Sequence, residues 1–200
     1  LSKVRYQRLS GTNVKQDFVE LPSQIMEHWA LEPEVLKSYA IHQETGDSIP
    51  DELIKKLKSA KTFNQGFETT EYLAACYLDL AWHQQVIAVR EDVDGFERKA
   101  MDDIHKIKMV DPRYRSAYFR HVFEGEHYSA GYYVYIWAEV LDADGFEAFK
   151  GKGIFDEETA RSFRSNILEK GGTVPPMELY LKFRGREPEV EALLKNRGLI

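Results

Sequence analysis

The stretch FNQGFETTEYLAACYLDLAWHQQV, residues 63–86, sets apolar side chains at Tyr72, Leu73, Cys76, Tyr77 and Leu80. Steps of one, three and four residues line one face of an α-helix, so this run predicts a long helix with a buried stripe. The same period recurs along most of the chain. PEVLKSYAIH predicts a short helix that stops in the turn-rich QETGDSIP. Pro50, followed by Asp51 and Glu52, opens DELIKKLKSAK, because proline and early carboxylates suit a helix N-terminus. DVDGFERKAMDDIHKI is amphipathic and reads as a surface helix. DEETARSFRSNILEK starts a helix at Asp156 that ends at Gly171-Gly172, and the tail gives two more around RGREP. Strand signals are few, and KVRYQRL is the best of them. The expected class is all-α, mostly helical, with at most one short strand or hairpin near the N-terminus. No repeat, low-complexity tract or linker divides residues 1–200.

A net charge of −6, with both signs interspersed, offers no basic face for phosphates, so no nucleic-acid partner is expected. No apolar run reaches the ~20 residues of a membrane-spanning helix, and no polybasic segment suggests a membrane surface. The single cysteine, Cys76, rules out an internal disulfide framework, and a cytoplasmic location is expected. With 43% apolar residues the chain has enough side chains for a sizeable core.

Two regions carry residues suited to chemistry. Tyr128 to Trp137 holds five aromatics in ten residues, preceded by EGEHYSAG, with His121 and His127 close by. Buried tyrosine hydroxyls need partners, so this run reads either as an aromatic packing seam or as a phenol-lined cleft. Tyr128, Tyr132 and Tyr135 fall near one helical face and Tyr133 off it. Phenols with a pKa near ~10 stay protonated at neutral pH and donate to a developing oxyanion. The second region is GTNVKQDFVELPSQIMEHWA, a turn followed by a helix with Asp17 near its N-cap and Pro22 in its first turn. Glu20 lies on the border between its apolar and polar faces, a place equally suited to a metal ligand or a salt bridge. His83 is expected to pair with Asp79 one turn earlier. Arg184 and Arg186 read as surface or helix-capping arginines.

SGTNVKQDFVELPSQIMEHWA resembles the segment that follows the HExxH helix in the thimet oligopeptidase and peptidyl-dipeptidase Dcp family of zinc metallopeptidases. HVFEGEHYSAGYYVYIW resembles that family's second signature, and FRGREPEVEALLKNRGL its C-terminus. The likeness runs over essentially all of the chain and is nearest to bacterial Dcp-type enzymes. It implies a mostly helical, zincin-like fold with a deep channel, of which these residues form the C-terminal portion of the catalytic domain. It implies one zinc ion in the complete enzyme, with Glu20 as its third protein ligand beside the two histidines of HExxH. It implies that His121 stabilises the transition state and that Tyr128 and Tyr135 hydrogen-bond the scissile carbonyl. Tyr132 and His127 are implied at the substrate side. The family pairs glycines where this chain has Glu126-His127, and FRHVF favours His121 over His127 as the functional imidazole.

No HExxH occurs in the 200 residues. The chain alone is therefore expected to hold no stoichiometric zinc and to be inactive, and to work with the missing N-terminal part of the same enzyme. An oligopeptide is the expected substrate, and self-association through an exposed channel wall is a further expectation. The alternative is a non-catalytic helical peptide-binding module.

Overall fold

The computed structural model describes residues 1–86 and 92–200. Its backbone divides into two compact units. The first joins Leu1–Phe63 to Ile136–Ile200, and the second is Asn64–Tyr135. The described residues form helices and turns, and the one bridge between extended residues pairs Ile41 with Ser48.

In the first unit, helices α1 (Gln16–Val19), α2 (Leu21–Ala30), α3 (Pro33–Tyr39) and α4 (Asp51–Lys61) come from the N-terminal part. Pro22 lies in the first turn of α2, where its missing N–H leaves no bond unmade. Helix α5 (Gln65–His83), α6 (Val93–Asp103) and α7 (Arg120–Phe123) belong to the second unit. Helix α8 (Val134–Lys152) belongs from Ile136 onward to the first, followed there by α9 (Glu157–Phe163), α10 (Pro176–Arg184) and α11 (Glu191–Asn196). The Asp156 carboxylate caps α9 by accepting from the Thr159 amide, and a π-helical turn over Arg164–Leu168 continues it.

The first unit's core is built from Phe18, Leu21 and Ile25 against Leu141, Phe146 and Phe149 of α8. Phe163, Ile167, Leu179 and Tyr180 close it. Gly145 lets Ile25 approach α8 closely, since a Cβ there would lie 3.2 Å from the Ile25 methyl.

KVRYQRL is not a strand. Its Lys3 amide donates to the Glu169 carbonyl, and after the extended Tyr6 it coils into one 3-10 turn over Gln7–Leu9. No neighbouring strand exists among the described residues to complete a ladder. Its partner is the turn after α9. Gly171 has φ +49°, and a Cβ there would lie 2.0 Å from the Leu9 carbonyl oxygen. At Gly172 it would lie 2.4 Å from that of Asn13. Gly171→Ala combines a left-handed backbone with a collision against main chain, so a loss of about 2 kcal/mol of stability is expected, read from the midpoint of urea unfolding.

The buried side of α5 differs from the predicted stripe. Tyr72 and Cys76 are buried as expected, but Leu73 and Tyr77 are 36% and 49% exposed, and Leu80 is half-buried. Ala74, Ala75, Leu78 and Asp79 take the inward positions instead. The helix is rotated toward its small residues and its carboxylate because Asp79 binds main chain on that side. Helix α6 is likewise not a plain surface helix. Glu97 is buried and accepts from the Arg115 guanidinium, the Ser116 amide and the Ser116 hydroxyl, which ties α6 to the segment leading into α7.

Candidate active site

The candidate residues fall in both units, and each group is built locally. Glu20 of the first unit stands between α1 and α2, serving as the C-cap of one and the N-cap of the next. It is half-buried. Its Oε2 accepts from the Ser23 hydroxyl at 2.9 Å, and its main-chain carbonyl accepts from the same hydroxyl and from the Gln24 amide. No Lys, Arg or His forms an ion pair with Glu20 among the described residues. The salt-bridge role open in the sequence is thus not the one it takes, and a half-buried carboxylate oriented by a hydroxyl is suited to a cation. No three His, Cys, Asp or Glu side chains gather as a metal site among the described residues. Glu20 fits a metal as one donor of a set, and this chain's described residues do not complete the set. Asp17 is not a cap. Lys15 holds that position, and Asp17 lies in the first turn of α1, where its charge suits the helix dipole.

In the second unit the imidazole and the phenols converge. His121 lies on α7, and its ring centroid is 4.8 Å from that of Tyr128, 5.8 Å from Tyr132 and 5.8 Å from Tyr135. The Tyr135 hydroxyl and His121 Nε2 are 3.0 Å apart, a hydrogen bond. The sequence places Tyr128, Tyr132 and Tyr135 near one helical face, but of these three only Tyr135 lies in a helix. Residues 124–133 run as successive turns, with Tyr128 donating to Gly125, Gly131 to Tyr128 and Val134 to Gly131. Ala130 adopts φ +55°, and this left-handed residue breaks any helix through Tyr128 and Tyr132.

The three tyrosines are not equivalent. Tyr132 is 7% exposed, stacked on Tyr72 at 5.2 Å and set edge-on to Phe119 at 5.0 Å. Burial pushes its phenol well above the ordinary tyrosine range, with the Arg113 guanidinium pulling the other way. Tyr132 therefore stays a neutral phenol at any physiological pH, and its ring is the floor on which the cluster packs. Tyr128 is 41% exposed at the open side, and Tyr135 is half-buried. His127 is exposed in the turn before Tyr128, and Tyr133 is exposed and joins no ring pair of this cluster.

The expected His83–Asp79 pair is present, with Nδ1 2.7 Å from Oδ1. What the sequence did not reveal is that Asp79 also accepts two amides of the tyrosine segment, from Ala130 at 3.0 Å and Tyr132 at 2.8 Å. A carboxylate inside an apolar stripe, at Asp79 between Leu78 and Leu80, was the available signal. Arg184 is largely covered and Arg186 partly exposed, and neither is a free surface arginine. Both bind the buried carboxylate of Asp144, and Gly185 ends α10.

These features give a helical chain with a phenol–imidazole cluster and a half-buried carboxylate bonded to a hydroxyl, and comparison with known proteins places it among the peptidases. The model for "Peptidase family M3" matches residues 1–199, and the chain belongs to that family. It is 42% identical to the dipeptidyl carboxypeptidase of Escherichia coli over 99% of its own length and 29% of that protein's. It is 40% identical to oligopeptidase A of the same organism, again over 29% of that protein. The thimet-like oligopeptidase of Dictyostelium discoideum is 30% identical over 99% of the chain. The chain thus spans somewhat under a third of the curated relatives it matches. No helix among the described residues is long and apolar enough to cross a membrane.

Proposed function

We propose that this chain supplies the transition-state donors and one metal ligand of a zinc-dependent peptidyl-dipeptidase acting on oligopeptides. The observation that carries the reading is the convergence of Tyr128 and Tyr135 on His121, with the Tyr135 hydroxyl held at 3.0 Å. The 42% identity to a dipeptidyl carboxypeptidase supports the subtype.

Glu20 would hold the zinc together with two imidazoles from outside these 200 residues. Zinc supplies a polarising charge and an activated water at neutral pH. The rest falls to the chain's own groups. When His121 Nε2 carries its hydrogen, it donates to the Tyr135 oxygen and leaves the phenol hydrogen for a substrate carbonyl. That hydrogen bond strengthens as negative charge grows on the carbonyl oxygen, so it lowers the barrier more than it aids binding. Tyr128, at the open side, is the second donor. Tyr132 backs both rings and reaches substrate only through its hydroxyl edge, and His127 contacts the peptide from the neighbouring turn.

The test is product analysis with the complete protein and zinc. Unblocked oligopeptides of mixed sequence should lose C-terminal dipeptides, seen as successive mass losses, and a C-terminal amide should slow the release. Absence of any cleavage would overturn the peptidase reading. Internal fragments alone would overturn the dipeptidase subtype.

A further inference from the structure

The geometry points to Asp79 as a positioning residue for the tyrosine cluster, an inference that rests on the reading of Tyr128 and Tyr135 as substrate donors. Asp79 is fully buried on α5 and holds the tyrosine segment by its main chain. Its two oxygens divide the work: Oδ1 accepts from Ala130 and faces His83 Nδ1 at 2.7 Å, while Oδ2 accepts from Tyr132. Amides two residues apart that converge on one carboxylate form an anion-binding concavity, and the left-handed Ala130 makes that convergence possible. The Tyr72 hydroxyl, also on α5, donates to the Tyr132 carbonyl at 3.3 Å. Helix α5 therefore grips the segment by two amides and a carbonyl, with Tyr128 two residues before the first anchor and Tyr135 three after the second.

The same carboxylate reaches the imidazole side of the cluster. His83 Nδ1 also bonds the Asp79 carbonyl at 2.9 Å, and the His83 ring packs on Phe123 at 5.4 Å. Phe123 lies two residues from His121 on α7. One buried anion thus fixes both the segment that carries the phenols and the contact that supports their imidazole partner. A leucine at this position would bury without desolvation cost, yet it would leave two amides without an acceptor. Only a carboxylate accepts from three donors here. An asparagine amide presents one acceptor oxygen, and its NH2 then faces an amide N–H, donor against donor.

Asp79→Asn in the complete protein is expected to lower kcat about 10–30-fold while KM for a cleaved peptide changes less than about threefold. A displacement of a fraction of an ångström at a donor is enough for that loss. Lower activity alone would not separate positioning from general damage, so kcat is measured for the wild type, Asp79→Asn, Tyr135→Phe and the double variant. If Asp79 acts through the phenols, the double variant falls no more than about threefold below Tyr135→Phe. The inference is overturned by a kcat within about twofold of wild type for Asp79→Asn, or by losses that multiply in the double variant. A silent Tyr135→Phe removes the underlying reading and the inference with it, whereas a damaging Tyr135→Phe beside multiplying losses removes the inference alone. Should Asp79→Asn fail to fold, His83→Phe takes its place in the cycle, since it deletes the Nδ1 contact and keeps a ring against Phe123. Its expected loss is severalfold and non-additive with Tyr135→Phe, and a multiplying loss overturns the inference.

Discussion

Asp144→Asn is expected to destabilise the protein by about 3–5 kcal/mol, the range for breaking a buried ion pair by removing one partner. Asp144 is 1% exposed on α8. Its Oδ2 accepts from the Tyr180 hydroxyl at 2.6 Å and from Arg184 Nε at 3.0 Å, while Oδ1 accepts from Arg186 at 2.5 Å. Burial alone would push its carboxyl up, but the hydrogen bonds from Arg184, Tyr180 and Arg186 outweigh it and hold the carboxyl below the usual range. The asparagine keeps the shape and removes the charge, leaving the buried Arg184 guanidinium without its anion and the Arg186–Glu187 turn without its anchor. Because the folded value is depressed, this contribution is fully present above the unfolded pKa of ~4 and is lost as pH falls through the folded value. Urea unfolding at pH 7 should therefore show the full loss, and the gap between wild type and variant should narrow in acid.

Asp142, two residues earlier on α8, gives the control. Burial pushes its carboxyl up, with His28 opposing, and His28 Nε2 lies 2.6 Å from Oδ1. Here the sign reverses: the contribution is present below the unfolded pKa and is lost as pH rises through the folded one. Asp142→Asn retains an acceptor for His28 and relieves a buried charge, so its cost at pH 7 should be below about 1 kcal/mol. Equal losses for the two variants would show that burial of any polar group at this level of α8, rather than the Arg184–Arg186 pairing, governs the stability.

The contrast also shows what could be read in the sequence and what could not. Helices announce themselves locally, through Pro50 with Asp51 and Glu52 and through the Asp156 cap. Both helices start where these residues put them. The facing of α5 was misread because its inward side is chosen by the distant amides of residues 130 and 132, and no local pattern in residues 64–83 encodes them. The partner of Arg184 was hidden for the same reason: Asp144 lies 40 residues away. The 3-10 turn at Gln7–Leu9 replaced a strand because its neighbour is a glycine turn, not another extended segment. That His121, Tyr128, Tyr132 and Tyr135 lie together was legible through the signature, although the helical face expected to join the three tyrosines is absent. Turns and the Asp79 anchor bring the rings together instead.

The largest effect on chemistry is expected from Tyr135→Phe in the complete protein, a fall in kcat of about 10²–10³-fold with KM within about threefold of wild type. That is the range for deleting one donor to an oxyanion, about 3–4 kcal/mol of barrier. The substitution is clean, because the ring remains to pack at 5.7 Å from Tyr132 and 5.8 Å from His121, and only the hydroxyl bonded to His121 Nε2 is lost. Stability should hardly change, so unfolding temperatures within a few degrees of wild type would assign the loss to the reaction. A donor that acts on developing charge is felt in kcat, whereas one that grips the ground-state carbonyl equally would be felt in KM. Tyr133→Phe is the matched comparison, since it removes a hydroxyl two residues away from a ring outside the cluster and should leave both constants unchanged. A Tyr135→Phe enzyme with wild-type kcat, or one whose KM rises in proportion to the loss, would remove Tyr135 from the transition state. The hydrogen bond to His121 would then be a packing feature of the second unit rather than the element that orients its donor.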